Sequence, residues 1–256
     1  MHTVELASGH PMPLLGLGTW ALEGARCTQV VRQALDLGYR HLDTAYMYRN
    51  QEAVGKALAD SGVDRKEVFL TTKIWKDALQ RERVVEQFQE CLEMLSTPYV
   101  DLLLIHWPNE AVPLEETLVA FNILHDQGKV KSIGVSNFSI LQVDQAQASS
   151  RAPVCVNQVR YHVGHNQEAL LQHHQGKDVA VTAYSPLARG ESASDQVLRQ
   201  IAQRQGKSAA QVALRWLVQK QVVVIPKASS EEHLSANMDL FDWELTNQEM
   251  AQLDRI

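Results

Sequence analysis

The sequence predicts an α/β fold, an eight-stranded parallel β/α barrel plugged by an N-terminal β-hairpin. Three observations point there: eight short apolar, β-rich runs recur along the chain, amphipathic helical spacing fills the intervals, and no linker divides the 256 residues. The runs centre near Leu17, His41, Leu70, Leu103, Ile133, Val156, Thr182 and Val224. Their mean step of about 30 residues is the length of one strand-helix-strand unit. An open doubly wound sheet usually has fewer strands and often a second domain, so a closed barrel fits better.

The elements follow in order. VELASGHPMPLL reads as two short extended pieces around Ser8-Gly9, with Pro11 and Pro13 confining the second piece to a sheet edge or a plug. The hairpin is expected over about residues 3–14 and one barrel domain over about 15–256. VFLTTKI, VDLLLIH and VVVIP are apolar without strict alternation, as parallel strands covered on both faces should be. Between them, Val84, Val85, Phe88, Leu92 and Leu95 mark one amphipathic helix from Arg83 to Leu95. Two helical segments follow the last strand.

Composition narrows the function. Hydrophobic residues at 45% and charged residues at 21% describe a chain that can bury a large core. A net charge of −6 with both signs interspersed offers no footprint for nucleic acid or an anionic membrane. Cys27, Cys91 and Cys155 are an odd number without CxxC spacing, so free thiols are expected rather than disulfides or a zinc cluster. The N-terminus lacks a basic start followed by an apolar run, and the apolar stretch at Val100–Ile105 is too short to span a bilayer, so a cytoplasmic protein is expected.

Gly16-Leu17-Gly18-Thr19-Trp20-Ala21 matches the dinucleotide-binding pattern G-x-G-x-x-G/A, with Asp43 downstream. The preceding prolines argue against the buried central strand that pattern needs. The glycines are read instead as letting a strand leave the barrel and bringing backbone close to a ligand.

In such barrels the chemistry sits at the C-terminal strand ends. Those ends carry Asp43 with Tyr48 five residues on, then Lys73, then His106. Singly, Asp43 reads as a helix cap, Tyr48 as a half-buried aromatic, Lys73 as a snorkelling rim residue and His106 as a satisfied core histidine. Together they make a proton-transfer site. A lysine ammonium is expected to lower the tyrosine pKa, a buried aspartate to hold the lysine charged, and a neutral histidine to hydrogen-bond a carbonyl oxygen. Such a site protonates a developing alkoxide. Nucleophile, metal ligands and phosphate loop are missing, so carbonyl reduction lacks only a hydride source.

LDTAYMYRNQEAVGKAL, TTKIW, LLLIHWP, GVSNF, AYSPLARG and IPKASSEEHLSAN, six motifs in order across nearly the whole chain, resemble signatures of the aldo-keto reductase family. The look is closest to the bacterial diketogluconate-reductase-like branch. The resemblance implies NADPH-dependent reduction of aldehydes and ketones in a hairpin-plugged barrel, usually monomeric. It makes Tyr48 the general acid, Lys73 and Asp43 its pKa-setting pair, and His106 the carbonyl-orienting group. Ser136, Asn137 and Gln158 match positions that bond the nicotinamide carboxamide, and Tyr184 the ring that stacks on it. From the residues alone Asn137 and Gln158 read as strand caps and Tyr184 as core.

The resemblance further assigns Ser185, Leu187 and the turn Ala188 to Gly190 to the pyrophosphate, and Lys227, Ser229, Ser230, His233 and Asn237 to the adenosine end. Gly18, Thr19, Trp20 and Asp43 are expected beside the cofactor. Trp20, Tyr46, Trp75 and Trp107 are expected as apolar substrate walls around Tyr48 and His106. No metal and no obligate protein partner are expected.

Two departures stand out. His233 occupies the place of the arginine that usually clamps the 2′-phosphate of NADPH, and Ala228 that of the usual serine after Lys227. A neutral imidazole cannot make the bidentate pairing of a guanidinium, so a relaxed preference, with NADH also used, is expected. The chain ends LDRI without the family's customary tail over the pocket, and the segment after His106-Trp107-Pro108 is short, so an open mouth and broad acceptance of small aldehydes, dicarbonyls and keto sugar acids are expected. Some relatives of the fold act as cofactor-binding regulatory subunits with little catalysis, and that reading stands as the alternative. A barrel lyase or isomerase would require all six motifs to be accidental.

Overall fold

A computed structural model describes residues 2–188, 190 and 195–256. The chain opens with an antiparallel hairpin, β1 (Thr3–Glu5) and β2 (Pro11–Pro13), in the register Thr3↔Pro13 and Glu5↔Pro11. Gly9 makes the turn at φ 77°, and Met12 and Leu6 point into the core. A hydrogen bond of 2.7 Å between the Ser8 and Ser132 hydroxyls ties the hairpin to the barrel strand above it.

The barrel strands are β3 (Leu17–Gly18), β4 (His41–Asp43), β5 (Phe69–Ile74), β6 (Val100–Ile105), β7 (Val130–Ser136), β8 (Val154–Arg160), β9 (Ala180–Tyr184) and β10 (Val223–Val224). Each covers one of the eight expected centres. Neighbours in sequence are neighbours in the sheet, and every pair is parallel. The seam between the first and last strands closes through the parallel bridge Leu15↔Val224 and the bonds Gly16 N to Val224 O and Val224 N to Leu14 O, both 2.8 Å.

The seam gives the tandem glycines a packing role. A Cβ on Gly18 would lie 2.5 Å from the Ile225 carbonyl oxygen, and one on Gly16 2.5 Å from Nδ1 of His41. Within the chain, the neighbours they admit are the Ile225 carbonyl just after the last strand and a core histidine. Gly134 serves a similar close approach, since a Cβ there would press on the Val156 carbonyl at 2.6 Å beside the β7/β8 irregularity.

Helices α1 (Gly24–Asp36), α2 (Gln51–Asp60), α3 (Arg81–Leu95), α4 (Leu114–Asp126), α5 (Ile140–Ser149) and α6 (Glu168–Gln175) each follow a strand. α7 (Gln196–Gln205) and α8 (Ala209–Gln219) share the step before β10, and α9 (Glu231–Met238) and α10 (Asn247–Leu253) follow it. Ser139, Ser208 and Thr246 start α5, α8 and α10 with reciprocal capping boxes, satisfying otherwise orphaned N–H groups. On α3 the buried face is Val84, Gln87, Phe88, Cys91, Leu92 and Leu95. Val85 is exposed instead, because successive helical residues lie about 100° apart and Val84 already holds the core position.

All three cysteines are free and buried. Among the described residues no helix is long and apolar enough to cross a membrane, and no group of three or more His, Cys, Asp or Glu is placed to hold a metal ion.

Candidate active site

The parallel strands bring their C-terminal ends to one rim. Asp43 ends β4, Lys73 is the penultimate residue of β5, His106 follows β6, Ser136 ends β7 and Asn137 follows it. Gln158 pairs with Ser136 from β8, Tyr184 ends β9, and Lys227 follows β10. Tyr48 reaches the same rim from a 3-10 turn, Tyr46–Tyr48, after β4.

Lys73 organises the centre. Its ammonium donates to Asp43 Oδ1 at 2.5 Å, to the Thr44 carbonyl at 2.8 Å and to the Tyr48 hydroxyl oxygen at 3.2 Å, which accounts for all three of its hydrogens. The side chain is wholly buried, so it does not snorkel. Asp43 Oδ2 accepts from Gln158 Nε2 at 2.8 Å, and the Asp43 carbonyl accepts from the Thr19 amide and hydroxyl. Asp43 therefore does not cap a helix. An ion pair taken this far from water adds little net stability, and the surrounding hydrogen bonds serve to fix its geometry.

Because Lys73 donates to the Tyr48 oxygen, the phenol's own hydrogen must point elsewhere. The Tyr48 pKa departs from the expected direction: burial raises the phenol above its ordinary 10, with the Lys73 ammonium pulling against it and Asp43 reinforcing the rise. One ammonium, half-neutralised by its carboxylate, does not offset the lost hydration of a phenolate. Lys73 is itself raised, since burial is outweighed by Asp43 and Tyr48, so it stays charged.

His106 is buried, and its ring meets Tyr48 at 5.6 Å and Trp75 at 5.1 Å, both edge to face. Burial, and then the nearby ammonium, lower its pKa from 6.5 to about 3, so the ring is neutral at physiological pH. Among the described residues Nδ1 is buried without a partner, so His106 is not a satisfied core histidine. The lower-cost tautomer carries the hydrogen on Nε2 and leaves only a lone pair unmatched.

The walls divide. Trp20 meets Tyr48 edge to face at 5.0 Å and is 53% exposed, and Trp107, beside His106, is 42% exposed. Trp75 is half-buried against His106. Tyr46, two residues before Tyr48 in the 3-10 segment, lines a cleft of about 930 Å³ together with Trp75, Met47, Glu52 and Glu90.

Asn137 ties the rim strands together. Held at φ 63°, it donates through Nδ2 to the His106 carbonyl and the Ser136 hydroxyl, both at 3.0 Å, and accepts from the Tyr184 hydroxyl at 2.9 Å. Ser136 donates to the Gln158 carbonyl at 2.9 Å. Tyr184 is half-buried rather than core. Ser185 and Ala188 also adopt positive φ, at 49° and 48°, and Leu187 is half-buried. The expected pyrophosphate turn includes Arg189, which lies outside the described residues.

Gly18, Thr19 and Asp43 are buried and engaged with the chain itself. At the far end Lys227 and His233 are exposed, and Ser229 and Ser230 are half-buried. Ser230 caps α9, accepting from the His233 amide at 3.3 Å. Asn237 is buried against Tyr39, whose hydroxyl donates to the Leu234 carbonyl at 3.0 Å.

Sequence reasoning missed Thr44 and Asn50. Asn50 looks like a helix cap ahead of α2, yet it makes no cap. It donates to the Thr19 and Leu22 carbonyls at 2.8 and 3.0 Å and accepts from the Thr44 hydroxyl at 2.7 Å, bracing the loops that carry Trp20 and Tyr48. Its place two residues after Tyr48 is the only local signal, and it does not distinguish a brace from a cap.

A buried Asp43-Lys73 pair against the half-buried Tyr48, with a neutral histidine, at the C-terminal rim of a plugged barrel, defines a class of oxidoreductase. The chain belongs to that class: the Aldo/keto reductase family profile matches residues 14–256. Glyoxal reductase of Bacillus subtilis strain 168 is 39% identical over 255 residues, covering 99% of this chain and 92% of that protein. The 9,11-endoperoxide prostaglandin H2 reductase of Trypanosoma cruzi strain CL Brener is 39% identical over 257 residues, covering 99% of this chain and 90% of that one. Among solved structures, a putative 2,5-diketo-D-gluconic acid reductase B superposes with a TM-score of 0.96 at 42% identity, covering 100% of this chain and 91% of the other.

Proposed function

We propose that this enzyme reduces small aldehydes and dicarbonyls to alcohols with NADPH, accepts NADH as well, and uses Tyr48 as proton donor. The observation that carries the reading is the Lys73 to Tyr48 hydrogen bond of 3.2 Å, because a lysine ammonium only donates and the phenol's own hydrogen is left for another acceptor. The donor set fits a nicotinamide dinucleotide. Gln158 Oε1 has no protein donor among the described residues, and Asn137 Oδ1 keeps a second lone pair, so both can accept from a carboxamide. Lys227, Ser229 and Ser230 have the charge and hydroxyls a phosphate needs. When bound, the reduced nicotinamide supplies hydride to the carbonyl carbon.

The residues of the chain handle the oxygen. His106 Nε2–H hydrogen-bonds the carbonyl oxygen and fixes its position beside the phenol. As negative charge grows on that oxygen, Tyr48 gives it a proton, and the Lys73 ammonium stabilises the phenolate left behind. Asp43 keeps Lys73 charged and aimed, and Gln158 holds Asp43. With its pKa raised the phenol is protonated at neutral pH and is a weak acid, so it gives up its proton only as charge builds on the oxygen.

With Trp20 and Trp107 both more than two-fifths exposed, the mouth has few contacts to reject competitors, so several carbonyls should be turned over. Turnover confined to one sugar acid would contradict this. Three buried thiols without a disulfide suit a reducing compartment such as the cytoplasm.

The test is oxidation of NADPH followed by absorbance with methylglyoxal or another small aldehyde, repeated with Tyr48→Phe. The reading expects turnover in the native enzyme and a loss of about 10²–10⁴-fold in kcat for the variant with cofactor affinity retained. Cofactor binding without oxidation would instead support a regulatory binder. A thousandfold or greater kcat/KM preference for NADPH would reject the relaxed cofactor choice.

A further inference from the structure

We infer that Arg26 is a specificity-determining residue for the cofactor, supplying from α1 the guanidinium that position 233 lacks. The inference rests on the cofactor reading above and names the chain's own recognition of an adenosine 2′-phosphate. Arg26 lies in the first turn of α1, and its Nη2 donates to the Ser229 carbonyl, 203 residues away in sequence. Its Nη1 donates to Gln29 Oε1 at 2.9 Å. The guanidinium is thereby tethered to the backbone of the segment that bears Lys227, Ser229 and Ser230.

A guanidinium has five N–H donors, and these two bonds leave three unspent. No carboxylate pairs with Arg26 among the described residues, so its charge is not neutralised inside the protein. Tethering also lowers the rotamer entropy lost on binding, which for a free arginine is a substantial part of the cost.

The local charge balance calls for a second cation. Glu231 and Glu232 occupy the first turn of α9 and are exposed. They suit the helix dipole but repel a phosphate beside them. Lys227 is the one Lys or Arg in the segment 227–233, and the His233 imidazole cannot make the bidentate pairing of a guanidinium. Arg26 restores the positive balance and offers a fork suited to bidentate pairing with phosphate oxygens.

The test measures dissociation constants for NADPH, NADH, 2′,5′-ADP and 5′-AMP on the full chain, by tryptophan quenching and calorimetry. The proteins are the native chain, Arg26→Ala, Arg26→Lys, and Arg26→Ala combined with His233→Arg. Arg26→Ala should weaken NADPH and 2′,5′-ADP about tenfold, as expected for losing a charge-assisted bond, while NADH and 5′-AMP stay within about twofold. Arg26→Lys should keep part of the affinity, and His233→Arg should restore NADPH binding in the alanine background. Equal weakening of NADPH and NADH, or unchanged NADPH binding, overturns the inference while leaving the cofactor reading intact. A native chain that binds none of the four ligands overturns both.

Discussion

The two ends of the barrel rim are built on opposite principles. At the Asp43-Lys73-Tyr48 corner the ammonium is wholly buried and every one of its hydrogens has an acceptor. At the segment 227–233, Lys227 and His233 are exposed and Arg26 reaches in from another helix with donors unspent. The first arrangement has settled its orientation during folding, which is what a transition state rewards. The second leaves its groups in water, where each contact is worth less and can be exchanged without disturbing the fold. Chemistry should therefore be fragile and coupled to stability, and cofactor choice should be tunable and independent of it.

The sharpest way to break that contrast is to remove one lysine from each end. Lys73→Met leaves Asp43 buried with only Gln158 as a side-chain partner, and should cost about 3–5 kcal/mol in urea unfolding together with most of the activity. Lys227→Met should leave the unfolding midpoint unchanged and weaken only cofactor binding. If the two variants were equally stable, the corner would not be the pre-set element described.

Acid should open a similar gap through buried histidines. Burial lowers His41 and His174 to about 4 and His106 to about 3 from 6.5. Above pH 6.5 both folded and unfolded chains hold them neutral. Below it the unfolded chain binds protons the folded one refuses, so stability falls as pH drops from 6.5 toward the folded values, by up to about 1.4 kcal/mol per pH unit for each histidine. Urea midpoints between pH 7 and 4 should show that slope, and His174→Gln should flatten it. Over pH 5–8, kcat should show no break from His106, which stays neutral there.

The fold was legible because parallel strands must be apolar throughout and must recur at βαβ length, and every strand lies over its expected centre. Asp43, Lys73 and His106 were legible because polar groups at apolar strand ends are few. Features depending on rotation or distant approach were not. Val85 and Val84 are equally apolar, and only the helix phase puts one outside. Tyr46 and Tyr48 are two residues apart in a 3-10 turn, and the local sequence does not say which meets Lys73. The tandem glycines advertised a close approach without naming the partner, which proved to be Ile225. Arg26 had no local signal, because its partner Ser229 is near only once the barrel closes.

A smaller effect separates bracing from catalysis at the corner itself. Asn50→Ala removes the amide that joins Thr44 to the Thr19 and Leu22 carbonyls and should cost about 1–3 kcal/mol, the usual range for leaving buried polar groups unmatched. Since Asn50 touches neither Lys73 nor Asp43, the activity that remains should keep the native pH profile. A shifted profile would place Asn50 in control of the Tyr48 proton.

The smallest expected effect tests the tunable end directly. His233→Arg adds a guanidinium at an exposed site whose backbone amide already serves the Ser230 cap, so neither the cap nor the helix need change. The added cation has no competing acid-base role in the buried corner, so kcat at saturating NADPH should be unaltered. What should change is discrimination: the ratio of kcat/KM for NADPH to that for NADH should rise about tenfold, as one charge-assisted pairing is worth. The rise should shrink as ionic strength increases, because the groups concerned are solvated and screened. A change in kcat without a change in the ratio would mean that the two ends are coupled, and the separation between a rigid chemical corner and an adjustable binding end would not hold.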